Sequence, residues 1–96
     1  MVYKLKLRDD ANEDIISGYK WYEEKSVGLG NRFIDEVEEM LDYIQRYPEH
    51  YQVKYSNYRE GVFKIFPYVI TYEIIDDLVL VFAVFPTRDD PNKKPK

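Results

Sequence analysis

A chain of 96 residues suffices for one domain with its own core, burying about 65% of the surface its unfolded form exposes. Apolar residues make up 45% and aromatics 17%, which argues against disorder. There is no cysteine and a single histidine, His50, which excludes disulfides, thiolate nucleophiles and Cys- or His-cluster zinc sites, so neither metal nor cofactor is expected. The net charge of −4 is uneven: residues 1–50 hold seven Lys/Arg against twelve Asp/Glu, and residues 51–96 hold seven against six. An acidic total speaks against bulk binding to nucleic acid, which draws its energy from phosphate neutralisation, but leaves room for a local basic patch in the second half. The opening MVYKLKLRDD has no apolar leader segment, and no apolar run nears the ~18 residues of a membrane span. A cytoplasmic protein with no membrane association is expected.

Val2–Leu7 alternates Tyr3, Leu5 and Leu7 against Lys4 and Lys6, the pattern of a half-buried strand. Asp10 and Glu13 have capping-box spacing. Ala11, Ile15, Tyr19 and Tyr22 then recur at helical intervals, predicting a first helix from about Ala11 to Lys25 that breaks at Gly28-Leu29-Gly30. The second helix carries an apolar stripe of Leu29, Phe33, Val37, Met40, Leu41 and Ile44, with Asp35, Glu36, Glu38, Glu39 and Asp42 on its other face. Pro48 stops it near Tyr47. Pro48–Asn57 is a tyrosine-rich connection with room for a short strand at Gln52–Tyr55.

Three strands follow, at Tyr58–Ile65, Tyr68–Ile75 and Leu78–Phe85, separated by turns at Phe66-Pro67 and Asp76-Asp77. The last is apolar on both faces and so belongs inside the sheet. From residue 87 the Pro-containing tail is expected to fray. The prediction is a single α+β domain over residues 1–96, β-α-α-β-β-β(-β), with a helical hairpin packed on an antiparallel sheet. Its expected core includes Ile15, Phe33, Val37, Leu41, Ile44, Ile70, Tyr72, Leu80 and Phe82.

The string WYEEKSVGLGNRFIDEV (Trp21–Val37), the Tyr47-Pro48 pair, Arg59 opening a strand, FPYVITYEI (Phe66–Ile74) and FAVFPTRDDP (Phe82–Pro91) together resemble the RelE/ParE superfamily of toxins, over about residues 3 to 91. Gly-Leu-Gly at the helix junction and Phe-Pro-Tyr at the hairpin resemble the ParE side. The resemblance implies the toxin of a bacterial two-gene toxin–antitoxin module of the plasmid-stabilisation kind, neutralised by a cognate antitoxin that wraps the hairpin and an open sheet edge. ParE-like members inhibit DNA gyrase by protein binding; RelE-like members cleave mRNA on the ribosome. A third alternative is a non-toxic antitoxin-binding module.

RNA cleavage needs a base or acid, one or two cations for the phosphate, and commonly a stacking ring. By position in the resemblance, Lys64 and Arg88 stand near basic residues of the RelE branch, and Arg59 is a third candidate. Each has a plain structural counterpart: an Arg59–Glu60 ion pair, a solvated strand face for Lys64, a charged tail for Arg88. Val69 is apolar where RelE-like members carry Arg, and Pro86 replaces the His of many ParE-like ones, so the nuclease set is incomplete. The ten tyrosines read mainly as packing and His50 as an exposed loop residue. A helical hairpin covers one sheet face only. Val69, Val79, Val81 and Phe85 are expected on the other, and Trp21 beside the helix junction, as the antitoxin-binding surface. Binding there should be driven by apolar burial and depend weakly on salt.

Overall fold

The computed structural model describes residues 2–87. The strand alternation at the start of the chain forms β1 (Lys4–Leu7), with Lys4 and Lys6 exposed and Tyr3, Leu5 and Leu7 packed towards the core. The chain turns at once into α1 (Asp9–Lys25), two residues earlier than the spacing of Asp10 and Glu13 predicts. Arg8 occupies the N-cap with no side-chain cap, and its N–H donates to Val81 O at 3.0 Å. That tether sets where the helix begins, and Asp9 and Asp10 in the first turn face the positive end of its dipole. The link to α2 (Leu29–Arg46) passes through Gly28 at φ 90°, a left-handed conformation that costs glycine least. Glu23 closes the junction by accepting from Gly28 N at 3.0 Å and Gly30 N at 2.9 Å. Gly30 is required there, since a Cβ would stand 2.7 Å from Tyr19 O.

After α2 come β2 (Val53–Tyr55), β3 (Tyr58–Val62), β4 (Tyr68–Ile75) and β5 (Leu78–Pro86). They form one sheet with β1 in the order β1-β5-β4-β3-β2, so β5 is internal, as its apolar character on both faces requires. The sheet is mixed rather than antiparallel throughout: β1 runs parallel to β5, with Lys4 opposite Leu78 and Leu7 opposite Val81. Consecutive strands joined by tight turns must run antiparallel, but β1 and β5 are separated by all the other elements, and no turn constrains their direction. The Asp76-Asp77 turn joins β4 to β5, with Asp76 at φ 55°.

The helices cover one sheet face. Phe33, Val37, Met40 and Ile44 from α2 and Ala11 and Tyr22 from α1 meet Ile70, Tyr72, Val79, Val81 and Val84. On β5 the expected phase is reversed, because the two-residue turn sets Ile74 opposite Val79 and Tyr72 opposite Val81. Thr71 lies opposite Ala83 but Tyr72 lies opposite Val81, so Phe82 is an extra residue in the ladder, a β-bulge. Val79, Val81 and Val84, all at most 1% exposed, point beneath the helices, the bulge after Val81 bringing Val84 onto the same face. Leu80 and Phe82, expected in the core, are only half-buried and lie outside it. Val79 and Val81 are therefore core residues and not part of the open face, which corrects their expected position. Ile15 and Leu41 pack at the core's edge. β3 ends at Val62, three residues short of the expected Ile65, and residues 63–67 form a loop.

Candidate functional site

The second departure from the periodic reading is Glu36. Expected on the outer face of α2, it is 5% exposed and turned inward. Its carboxylate accepts backbone N–H groups from Lys64 (2.7 Å), Ile65 (2.9 Å) and Phe66 (2.9 Å). Three successive amides converging on one carboxylate make a charge-assisted anchor that holds the β3–β4 loop against α2. Phe63 N donating to Tyr68 O at 3.0 Å closes the loop's neck, and Phe63 and Phe66 pack with Phe33 and Tyr68 beneath it. This loop, not a strand, carries Lys64, whose side chain is exposed.

Between that loop and the end of α2 lies a cavity of about 490 Å³. Tyr43, Tyr47, His50 and Tyr51 wall it and Met40 and Lys64 border it, with Glu36, Glu39, Asp42 and Arg46 supplying the charges. Its rings pack at steep angles, His50 edge-on to Tyr51 (4.8 Å) and to Tyr43 (5.2 Å). Pro48 brings the last two together by ending α2 and turning the chain back, with His50 N donating to Tyr47 O at 3.0 Å. Tyr43 in the last turn of α2 and Tyr47 at its C-cap, four residues apart, are a signal visible in the sequence; the arrival of His50 and Tyr51 beside them is not.

Arg59 enters β3 next to this region, and one nitrogen of its guanidinium bonds the backbone. Nη1 donates to Tyr51 O at 2.6 Å and, more weakly, to Glu49 O at 3.5 Å. Its expected partner Glu60 instead faces Lys54 at 3.7 Å. Beneath it, the Tyr72 hydroxyl donates to Pro48 O at 2.6 Å. Burial pushes the Tyr72 phenol up to about 12, against the opposing pull of the Arg59 charge. Burial and the neighbouring Tyr43 raise Tyr51 as well. Both phenols thus stay protonated at neutral pH and act as hydrogen-bond donors; neither is poised as a base.

Of the three cationic candidates, only Lys64 borders the cavity, Arg59 serves the 47–51 loop, and Arg88 lies outside the described residues. Trp21 is 41% exposed, packs edge-on against Tyr22 at 5.0 Å and carries Lys25 Nζ 4.5 Å above its ring. Val69 does lie on the sheet face away from the helices, opposite Val62 on β3 and Phe85 on β5. It is only 3% exposed, while its flanking neighbours are 57% and 40% exposed. Tyr58 and Phe82 extend this face in T-shaped contact at 4.9 Å, with the Arg8 guanidinium 5.5 Å from the Phe82 ring centre. Among the described residues no cluster of three His, Cys, Asp or Glu could hold a metal, and no helix is long and apolar enough to cross a membrane.

The fold has solved counterparts. The chain is similar to the chromosomal ParDE toxin–antitoxin system of P. aeruginosa (TM-score 0.81, 11% identity, covering 91% of this chain and 98% of that one). It is similar also to the intact E. coli RelBE toxin–antitoxin complex (TM-score 0.69, 15% identity, 91% and 99% covered). A third similar structure is E. coli RelE, as a mutant in complex with a RelB antitoxin peptide (TM-score 0.64, 16% identity, 96% and 90% covered). No curated protein sequence matches significantly. At these identities the likeness speaks for the fold alone. A sequence profile of the ParE toxins of type II toxin–antitoxin systems matches residues 5–91, nearly the whole chain, and the chain therefore belongs to the ParE toxin family.

Proposed function

We propose that this toxin acts by binding a protein target, with DNA gyrase as the candidate, and that a cognate antitoxin neutralises it in the bacterial cytoplasm. The observation that carries the reading is the apolar row Val62–Val69–Phe85 across β3, β4 and β5, opposite the helices. Ile65, 71% exposed, stands on the adjoining loop. An apolar surface of this kind fits burial against a protein better than it fits a phosphate backbone. Arg59 also has a structural role, with Nη1 donating to the carbonyls of Tyr51 and Glu49. The antitoxin-binding surface narrows accordingly: Val79 and Val81 drop out, leaving Val69 with its exposed neighbours Val62 and Phe85, and Trp21 on the hairpin.

Two assays with the purified chain test the proposal. Inhibition of gyrase supercoiling, without cleavage of mRNA in a translating extract, is the expected result. Rapid mRNA cleavage abolished by Lys64→Ala would replace it with the RelE-type reading. For neutralisation, calorimetric titration with the product of an adjacent small reading frame should give a clearly negative heat-capacity change. A value near zero would show that the apolar surface is not what the antitoxin covers.

A further inference from the structure

We infer that the cavity at the end of α2 is a socket for one cationic side chain, an arginine, presented by a basic segment of a protein partner. The inference rests on the reading that a protein partner binds this chain, and names the chemistry that the partner brings. Three features converge on a cation. First, the walls are aromatic and steeply angled to one another: His50 stands at 86° to Tyr43 and 88° to Tyr51, and Tyr43 at 68° to Tyr51. These differently oriented rings line a cavity of about 490 Å³. Ring faces are the negative side of the quadrupole and attract guanidinium or ammonium groups.

Second, the charges at the cavity do not cancel. Asp42 is paired with Arg46 at 2.6 Å, and Glu36 is held by three loop amides. Glu39 lines the cavity with no hydrogen-bond or ion-pair partner among the described residues, and Lys64 lines it from the loop. A guanidinium among the rings can pair with Glu39, its planar fork matching the carboxylate, while Lys64 favours an acidic or carbonyl group further along the partner. Third, the approach is acidic: Asp35, Glu38, Glu39 and Asp42 all lie on the exposed side of α2, and a basic segment is their charge complement. Arginine fits better than lysine because it stacks on aromatic rings as well as pairing with the carboxylate.

The test uses the whole chain and a defined probe. N-acetyl-arginine amide is titrated at millimolar concentration against 15N-labelled protein, beside the citrulline analogue, which is nearly isosteric but uncharged. Amide shifts at residues 39–51 with arginine, at least about fivefold weaker with citrulline, are expected. Glu39→Gln and Tyr43→Leu, both at exposed positions, should each weaken the arginine response about threefold to tenfold while leaving the rest of the spectrum in place. Equal responses to the two probes, or an arginine response unchanged in both variants, would overturn the socket. If arginine binds as expected but the neighbouring gene product does not bind at all, the antitoxin reading fails and the socket stands. If that product binds wild type and both variants equally, the antitoxin reading stands and the socket fails.

Discussion

The Glu36 carboxylate on α2 accepts the backbone N–H of Lys64, twenty-eight positions along the chain, at 2.7 Å. That contact and its two neighbours fix the β3–β4 loop on the helix, and with it one lip of the aromatic cavity. Glu36→Ala leaves three loop amides without their acceptor. It should cost about 3 kcal/mol in urea unfolding, with Glu36→Gln losing about half as much. A loss under about 0.5 kcal/mol for Glu36→Ala would mean that water replaces the carboxylate without penalty.

Two buried phenols should behave oppositely. The Tyr72 hydroxyl donates to Pro48 O, and Tyr72→Phe should destabilise by about 1 kcal/mol. The Tyr22 hydroxyl is buried with no hydrogen-bond partner among the described residues, so Tyr22→Phe should be neutral or stabilise by up to about 1 kcal/mol. Thermal melts of the two variants side by side decide the point.

Alkali should unfold the protein through Tyr72. Its phenol titrates at about 12 when folded and near 10 when unfolded. The stability it contributes is present below pH 10 and is lost as pH rises through 12, because only the unfolded chain readily releases that proton. Unfolding followed from pH 9 to 12 should show this fall in the wild type and a flatter profile in Tyr72→Phe. Parallel profiles would place the titration elsewhere.

The register of the β4–β5 hairpin makes a sharp prediction about β5. Val81→Thr adds a hydroxyl to a fully buried site and should cost about 2 kcal/mol, whereas Leu80→Thr, half-buried on the other face, should cost under about 1 kcal/mol. The reverse order would place Leu80, not Val81, beneath the helices.

On α2, Ile44 is fully buried and Leu41 packs at the edge of the core. Ile44→Ala should therefore cost about 2–5 kcal/mol and Leu41→Ala only about 1–2 kcal/mol in the same denaturation assay. Equal losses would show that the apolar stripe is centred nearer Leu41.

Period and punctuation alone determined the two helices, the Gly-Leu-Gly junction, the Asp76-Asp77 turn and the internal place of Leu78–Phe85. Each depends on local spacing or on backbone freedom within a few residues. The family was legible too, because its marks are short strings in fixed order. The phase of β5 was not: a strand apolar on both faces has no alternation to set it, and the pairing of Val79 with Ile74 and of Val81 with Tyr72 decides which valines face the helices, with the bulge beyond Val81 adding Val84. The inward turn of Glu36 was hidden for a related reason. A carboxylate at the margin of an apolar stripe reads as solvent-facing until a distant loop offers three amides to it. The aromatic cavity likewise depends on Tyr43 and Tyr47 from the end of α2 meeting His50 and Tyr51 from the loop beyond Pro48. The direction of β1 was left open by the chain for want of a turn, and became parallel only when Lys4–Leu7 settled beside β5. Local rules wrote the elements; contacts between residues far apart in the chain decided which side chains form the surface.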